Sequence, residues 1–116
     1  MKISVVIPVY NAGQFVRSAV VSALNQAETA EVIRAEDNST DDSLRVCRSL
    51  EKEYHNVLLI RHPDGEDHGA GATRNLGVRN ATIEYLAFLD ADDFYLVDRF
   101  KVAKGHPTLI VTFNIF

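Results

Sequence analysis

The chain has 116 residues, of which 47% are hydrophobic and 24% charged, so it holds one domain with a core and is not a disordered segment. Its formal charge of −4, with no basic block, argues against a nucleic-acid partner. The single cysteine, Cys47, excludes an internal disulfide and suits a reducing, cytoplasmic setting.

Only Lys2 precedes an opening apolar run, which is too short for a signal peptide or a membrane span. The sequence therefore gives the expectation of a cytoplasmic protein without a transmembrane segment, compatible with peripheral association at a membrane. No internal repeat or linker interrupts the chain.

Ile3 to Asn11 is nearly continuous, β-branched and apolar, the pattern of a strand in a parallel sheet covered on both faces. Pro8 has no N–H, so the ladder is expected to stop near it. After the Asn11-Ala12-Gly13 turn, Phe15, Val16, Ala19, Val20, Ala23 and Leu24 share one face of a helix. Glu31 to Asp37 reads as a poorer strand, because Arg34 and Glu36 are awkward in a sheet buried on both faces. Asn38 to Asp41 carries turn and N-cap chemistry, with Asp41 expected to cap or favour the first turn. A helix to about Glu53 follows, with Leu44, Val46, Cys47 and Leu50 turned inward.

Val57 to Ile60 is a third short strand. His62 to Gly71, rich in Pro and Gly, is expected to be an exposed loop, and Ala72 to Arg79 a short helix. Tyr85 to Leu89 has the length of a buried strand and ends abruptly in Asp90, Asp92 and Asp93. Leu96 to Lys104 is expected to be helical, stopped by Gly105 and Pro107. Strands alternating with helices predict an α/β fold with a mostly parallel sheet and flanking helices.

Three carboxylates so close together repel one another unless a cation or protons intervene. Hard oxygen ligands at the carboxyl edge of a sheet suit Mg²⁺ or Mn²⁺ holding substrate phosphates. A solvated acidic turn capping the next helix explains the same residues equally well.

Four stretches decide the matter by resemblance. Val6-Ile7-Pro8-Val9-Tyr10-Asn11, Glu36-Asp37-Asn38-Ser39-Thr40-Asp41, Gly71-Ala72-Thr73-Arg74-Asn75-Leu76-Gly77 and Asp90-Ala91-Asp92-Asp93 stand in order. Together they resemble the nucleotide-sugar-binding half of a family-2 glycosyltransferase with the GT-A fold, a Rossmann-like unit covering residues 1–100. The resemblance implies that Pro8, Tyr10 and Asn11 lie against a nucleobase and ribose, and that Asp37 accepts from the base. Glu36 departs from the family's usual pair of aspartates. Arg74 is implied to help hold the nucleotide end while pairing with one of the strand-end aspartates, Asp90 to reach the ribose, and Asp92 to coordinate the metal, with Asp93 taking a water ligand or capping a helix. His68 is a loop histidine able to approach a phosphate, or simply exposed.

The implied donor is a nucleotide sugar, most readily a UDP-sugar, with Mg²⁺ or Mn²⁺ as cofactor and the acceptor unknown. No residue matches the family's catalytic base, so none is assigned, and an inert nucleotide-binding or assembly module stands as the alternative. A nucleotidyltransferase fits less well, since Asn11 to Phe15 carries no cations. A dehydrogenase fits less well again, because no G-x-G-x-x-G follows the first strand. Residues 101–116 form an atypical apolar tail, expected to pair with its own sheet or with a second copy in a homo-oligomer.

Overall fold

The computed structural model describes residues 2–83, 85–96 and 100. Four strands, β1 (Ile3–Val9), β2 (Thr29–Glu36), β3 (Val57–Arg61) and β4 (Tyr85–Phe88), form one sheet in the order β3-β2-β1-β4. All three pairings are parallel. Helices α1 (Val16–Leu24), α2 (Ser43–Glu53) and α3 (Ala70–Asn80) connect them. The chain steps outward from β1 to β3 and then returns to the far side of β1. That reversal makes the carboxyl ends of β1 and β4 a topological switch point, where open α/β sheets bind ligands.

Strand alternation decides which side chains meet which helix. In β1, Ile3, Val5, Ile7 and Val9 join Val16, Ala19, Val20 and Ala23 of α1 in the main core. Val6 points the other way, against α3. A Cβ added to Gly77 would stand 2.4 Å from Val6 Cγ1, so only glycine allows α3 to pack this closely. Right-handed crossovers place α1 and α2, which pack on each other, on one face and α3 on the opposite face.

The strands and helices expected as far as Phe88 are present, with β2 and α3 each beginning two residues earlier than read from sequence. Pro8 does not end β1, which pairs with β2 as far as Val9. Val9 O accepts from Asp37 N at 2.8 Å and Val6 O from Leu89 N at 3.1 Å. Alternation then turns Pro8 toward β4, beyond the last paired residue on that side, so its missing N–H interrupts nothing.

Arg34 and Glu36 are both buried, and each carries local compensation. Arg34 Nη1 donates to the Cys47 carbonyl of α2. Glu36 accepts from the Asn38 and Ser39 amides at 3.0 and 2.7 Å, closing the turn after β2. On α2, Cys47 and Leu50 are buried as expected, but Leu44 and Val46 are only half-buried and Ser43 is buried in addition. Burial pushes the Cys47 thiol up to about 11. Most of the helix expected from Leu96, together with the apolar tail and its pairing, lies outside the described residues. Among the described residues, no helix is long and apolar enough to cross a membrane.

Candidate nucleotide-sugar site

A cavity of about 460 Å³ opens at the switch point, a size typical of small-ligand sites. The alternation that builds the core also builds this cavity. Tyr10 continues the Val6 and Pro8 face of β1, Asp37 the Ile33 and Ala35 face of β2, and Asp90 the Leu86 and Phe88 face of β4. All three point to the α3 side, where Thr73 and Arg74 complete the wall.

Tyr10, half exposed, offers an aromatic face to the cavity. Asn11 beside it adopts φ 49°, a left-handed conformation that asparagine tolerates. Its Oδ1 accepts from Thr40 N at 2.8 Å and Asp41 N at 3.3 Å, while its own amide donates to Ser39 Oγ at 2.9 Å. The Asn11 carboxamide oxygen is therefore committed to the turn after β2. Asp41 accepts from the Ser43 hydroxyl and amide at 2.5 and 2.9 Å and from Gly13 N at 3.1 Å. Partial burial pushes its carboxyl up, but these hydrogen bonds outweigh that and hold it below the usual carboxylate range. Asp41 thus stands one residue before the N-cap, Asp42, and fixes the approach to α2 instead of capping the helix or entering its first turn.

Asp37 is buried. Oδ1 accepts from His68 N at 2.7 Å and Oδ2 from Gly69 N at 3.0 Å. Gly69 has φ 88° and ψ 167°, a conformation essentially limited to glycine, and it delivers the chain into α3. Arg74 Nη2 lies 3.4 Å from Asp90 Oδ1, and its buried Nε has no hydrogen-bond partner among the described residues. That orphaned donor beside the cavity suits an anionic ligand.

Asp93 N donates to Asp90 O at 2.9 Å, closing a turn that gathers Asp90, Asp92 and Asp93. Their oxygen atoms lie within 4.8 Å of one another, and all three residues are exposed. An exposed cluster of hard oxygen donors fits Mg²⁺ or Mn²⁺ with water completing the shell.

Several placements differ from expectation. Phe15 is not on the buried face of α1. It precedes the first helical residue, is half exposed, and lines the cavity together with Tyr10. His62 is not in the exposed loop but buried, with Nε2 3.0 Å from Thr73 Oγ1. His68 is exposed, yet its imidazole turns away from the cavity to Asp64 at 2.8 Å. That hydrogen bond raises the His68 pKa and lowers that of Asp64. The cavity also contains Asp67, Gly69 and Ala70, which no motif had marked; the glycine-rich run before Arg74 was the available signal.

A parallel sheet with aromatic, arginine and clustered carboxylate groups at its switch point defines a ligand-binding α/β domain. Residues 4–104 match the model of Glycosyl transferase family 2, and the chain belongs to that family. It is 40% identical over 97 residues to the poly(ribitol-phosphate) beta-glucosyltransferase of Bacillus spizizenii, covering 81% of this chain and 15% of that protein. It is 41% identical over 93 residues to the uncharacterized glycosyltransferase YibD of Escherichia coli, covering 79% of this chain and 26% of that one. The chain thus spans well under half the length of these relatives. Residues 1–349 of Staphylococcus aureus TarS in complex with UDP-GlcNAc superpose with TM-score 0.76 and 28% identity, over 90% of this chain and 30% of that fragment. Mannosyltransferase PcManGT of Pyrobaculum calidifontis, solved with GDP-Man and Mn²⁺, shares the fold with TM-score 0.75 at 23% identity.

Proposed function

We propose that this chain is the donor-binding part of a glycosyltransferase and takes a nucleoside-diphosphate sugar, a UDP-sugar foremost, together with Mg²⁺ or Mn²⁺. The observation that carries the reading is the gathering of Asp90, Asp92 and Asp93 within 4.8 Å beside a cavity that also contains Tyr10, Asp37 and Arg74. The TarS complex supports the choice of uridine.

Tyr10 stacks on the base, with Pro8 and Phe15 adding apolar wall. Asp37 has two oxygens and about four acceptor positions, most of them already occupied by protein donors, so it keeps room for about one more hydrogen bond. A single base N–H, such as the imide of uracil, fits that remainder. Asp90 accepts from the ribose, and Arg74 places its guanidinium toward the diphosphate. Asp92, with Asp93 directly or through water, holds the cation. When bound, the cation offsets the charge that develops on the departing diphosphate. Without it, Asp37, Asp67, Asp90 and Asp92 would repel an anionic donor.

Glycosyl transfer to a saccharide, lipid or protein acceptor belongs to the whole protein in this reading. A module that binds donor without transferring is the second reading. It draws on the described cavity wall, where Asp67 is the one carboxylate to which the donor-binding reading gives no role.

Calorimetric titration of UDP with and without Mn²⁺, repeated on Asp92→Ala, tests the site. Binding that requires Mn²⁺ and is lost in the variant is expected. Absence of binding by UDP and every other nucleoside diphosphate would remove the proposal.

A further inference from the structure

Asp37 can serve a base only if it keeps its place, and protein groups outside the recognised motifs set that place. Besides the His68 and Gly69 amides, His62 Nε2 stands 3.4 Å from Asp37 Oδ1, with the imidazole 8% exposed. The same nitrogen is 3.0 Å from Thr73 Oγ1. Thr73 Oγ1 donates its one proton to the Gly69 carbonyl at 2.7 Å, so toward His62 it can only accept. An Asp37 oxygen that already takes an amide proton likewise accepts. Both neighbours therefore call for a proton on Nε2, which makes the neutral ring the Nε2–H tautomer.

We infer that His62 is a positioning residue of the donor site: one proton on Nε2, placed between Asp37 and Thr73, holds the end of β2 and the start of α3 together as one cavity wall. This rests on the nucleotide-binding reading above. The elements joined are distant in sequence, and His62 at the end of β3 touches both. The His68 ring packs against His62 at 4.3 Å between centroids, inclined by 41°, and is itself tied to Asp64. His62 is thus steadied on a second side. Thr73 and Gly69 both line the cavity, and Arg74 follows directly. Loss of the shared proton would leave the Gly69 amide as the one direct tie between the β2 carboxylate and the start of α3 among the described residues, and so loosen the wall.

The test compares His62→Gln, whose terminal NH₂ can donate from nearly the same reach, with His62→Leu, which fills space without donating. Each variant is first checked by circular dichroism and a thermal melt. Mn²⁺–UDP affinity should fall about tenfold in His62→Leu and stay close to wild type in His62→Gln. Amide exchange at His68 and Gly69 should quicken only in the leucine variant. Nitrogen NMR of the wild-type imidazole should show the Nε2–H tautomer.

A leucine variant with wild-type affinity and exchange would overturn the inference. So would equal losses in both variants, or an Nδ1–H tautomer in the wild type. If the wild type binds no nucleoside diphosphate, the nucleotide-binding reading falls by itself. Tautomer and exchange, neither of which needs nucleotide, then decide whether His62 holds the wall.

Discussion

The ends of β2 and β4 both present carboxylates to the same cavity, yet they are built in opposite ways. At the end of β2, Asp37 is buried and surrounded by donors: two backbone amides within 3.0 Å and an imidazole nitrogen at 3.4 Å. At the end of β4, Asp90, Asp92 and Asp93 are exposed, and Arg74 at 3.4 Å is the one side chain paired with them among the described residues. A carboxylate with most of its acceptor positions filled is a structural fixture with little capacity left over. An exposed cluster of carboxylates keeps its lone pairs open to solvent. The difference separates a group fixed by the fold from groups free to take other partners.

That contrast predicts a graded series. Asp37→Ala should be the most damaging to stability, since it strips the partner from the His68 and Gly69 amides. We expect a loss of about 2 kcal/mol, or a melting point lower by about 10 °C. A melt matching wild type would mean that water serves those amides and that β2 ends no differently from β4.

Arg34→Met follows, with the opposite sign. Arg34 lies on the same strand and is fully buried, but its Nε and Nη2 lack partners among the described residues, and burial lowers its pKa. Replacing a poorly compensated buried charge by an apolar group of similar volume should stabilise by about 1 kcal/mol in a denaturant titration. A clear loss would show that the guanidinium does more than its one bond to the Cys47 carbonyl.

Asp92→Asn should change the melting behaviour of the nucleotide-free protein by less than about 0.5 kcal/mol, because an exposed group without side-chain partners among the described residues is removed. It should nonetheless lose Mn²⁺ binding. Substantial unfolding would place Asp92 in the structural class with Asp37.

The smallest effect concerns the Asp64–His68 pair beside the cavity. His68 is raised above 6.5 and Asp64 lowered below 3.8, each chiefly by their mutual hydrogen bond. The contribution of His68 is complete below its ordinary pKa and fades as pH rises through the raised value. That of Asp64 is complete above its ordinary pKa and fades as pH falls through the lowered value. Amide exchange in residues 63–68, corrected for its intrinsic pH dependence, should therefore be slowest at mildly acidic pH and quicken toward pH 8. A flat profile would show that Asp37, through the His68 amide, holds the loop without help. A similar scan of thiol reactivity should find Cys47 inert at pH 8, since its thiol lies near pH 11.

Much of the fold could be read before any coordinates. The β-branched runs at Ile3–Val9 and Tyr85–Phe88, and the helical spacing from Val16 to Ala23, are local signals that survive folding unchanged. The Asp90-Ala91-Asp92-Asp93 cluster was legible for the same reason, because one turn brings its members together whatever surrounds it.

Residues whose roles depend on partners far along the chain were not legible. Phe15 has the right spacing for the buried face of α1, but the helix starts one residue later and leaves its ring at the cavity. His62 sits in a run of turn formers and charges, and only the docking of α3 buries it against Thr73. Arg34 and Glu36 looked misplaced in a buried strand because their partners, the Cys47 carbonyl and the turn amides after β2, cannot be counted from composition.

By itself, the sequence determined the strand and helix periods, the parallel α/β plan and the acidic turn, because each depends on neighbours within a few residues. Tertiary structure alone decided that Tyr10, Asp37, Asp90 and Arg74 face one cavity and that the acceptor positions of Asp37 are mostly filled while those of Asp92 stay open. The physical reason is that strand parity is counted from a register, and that register is set by crossover packing between segments some 25 to 82 residues apart.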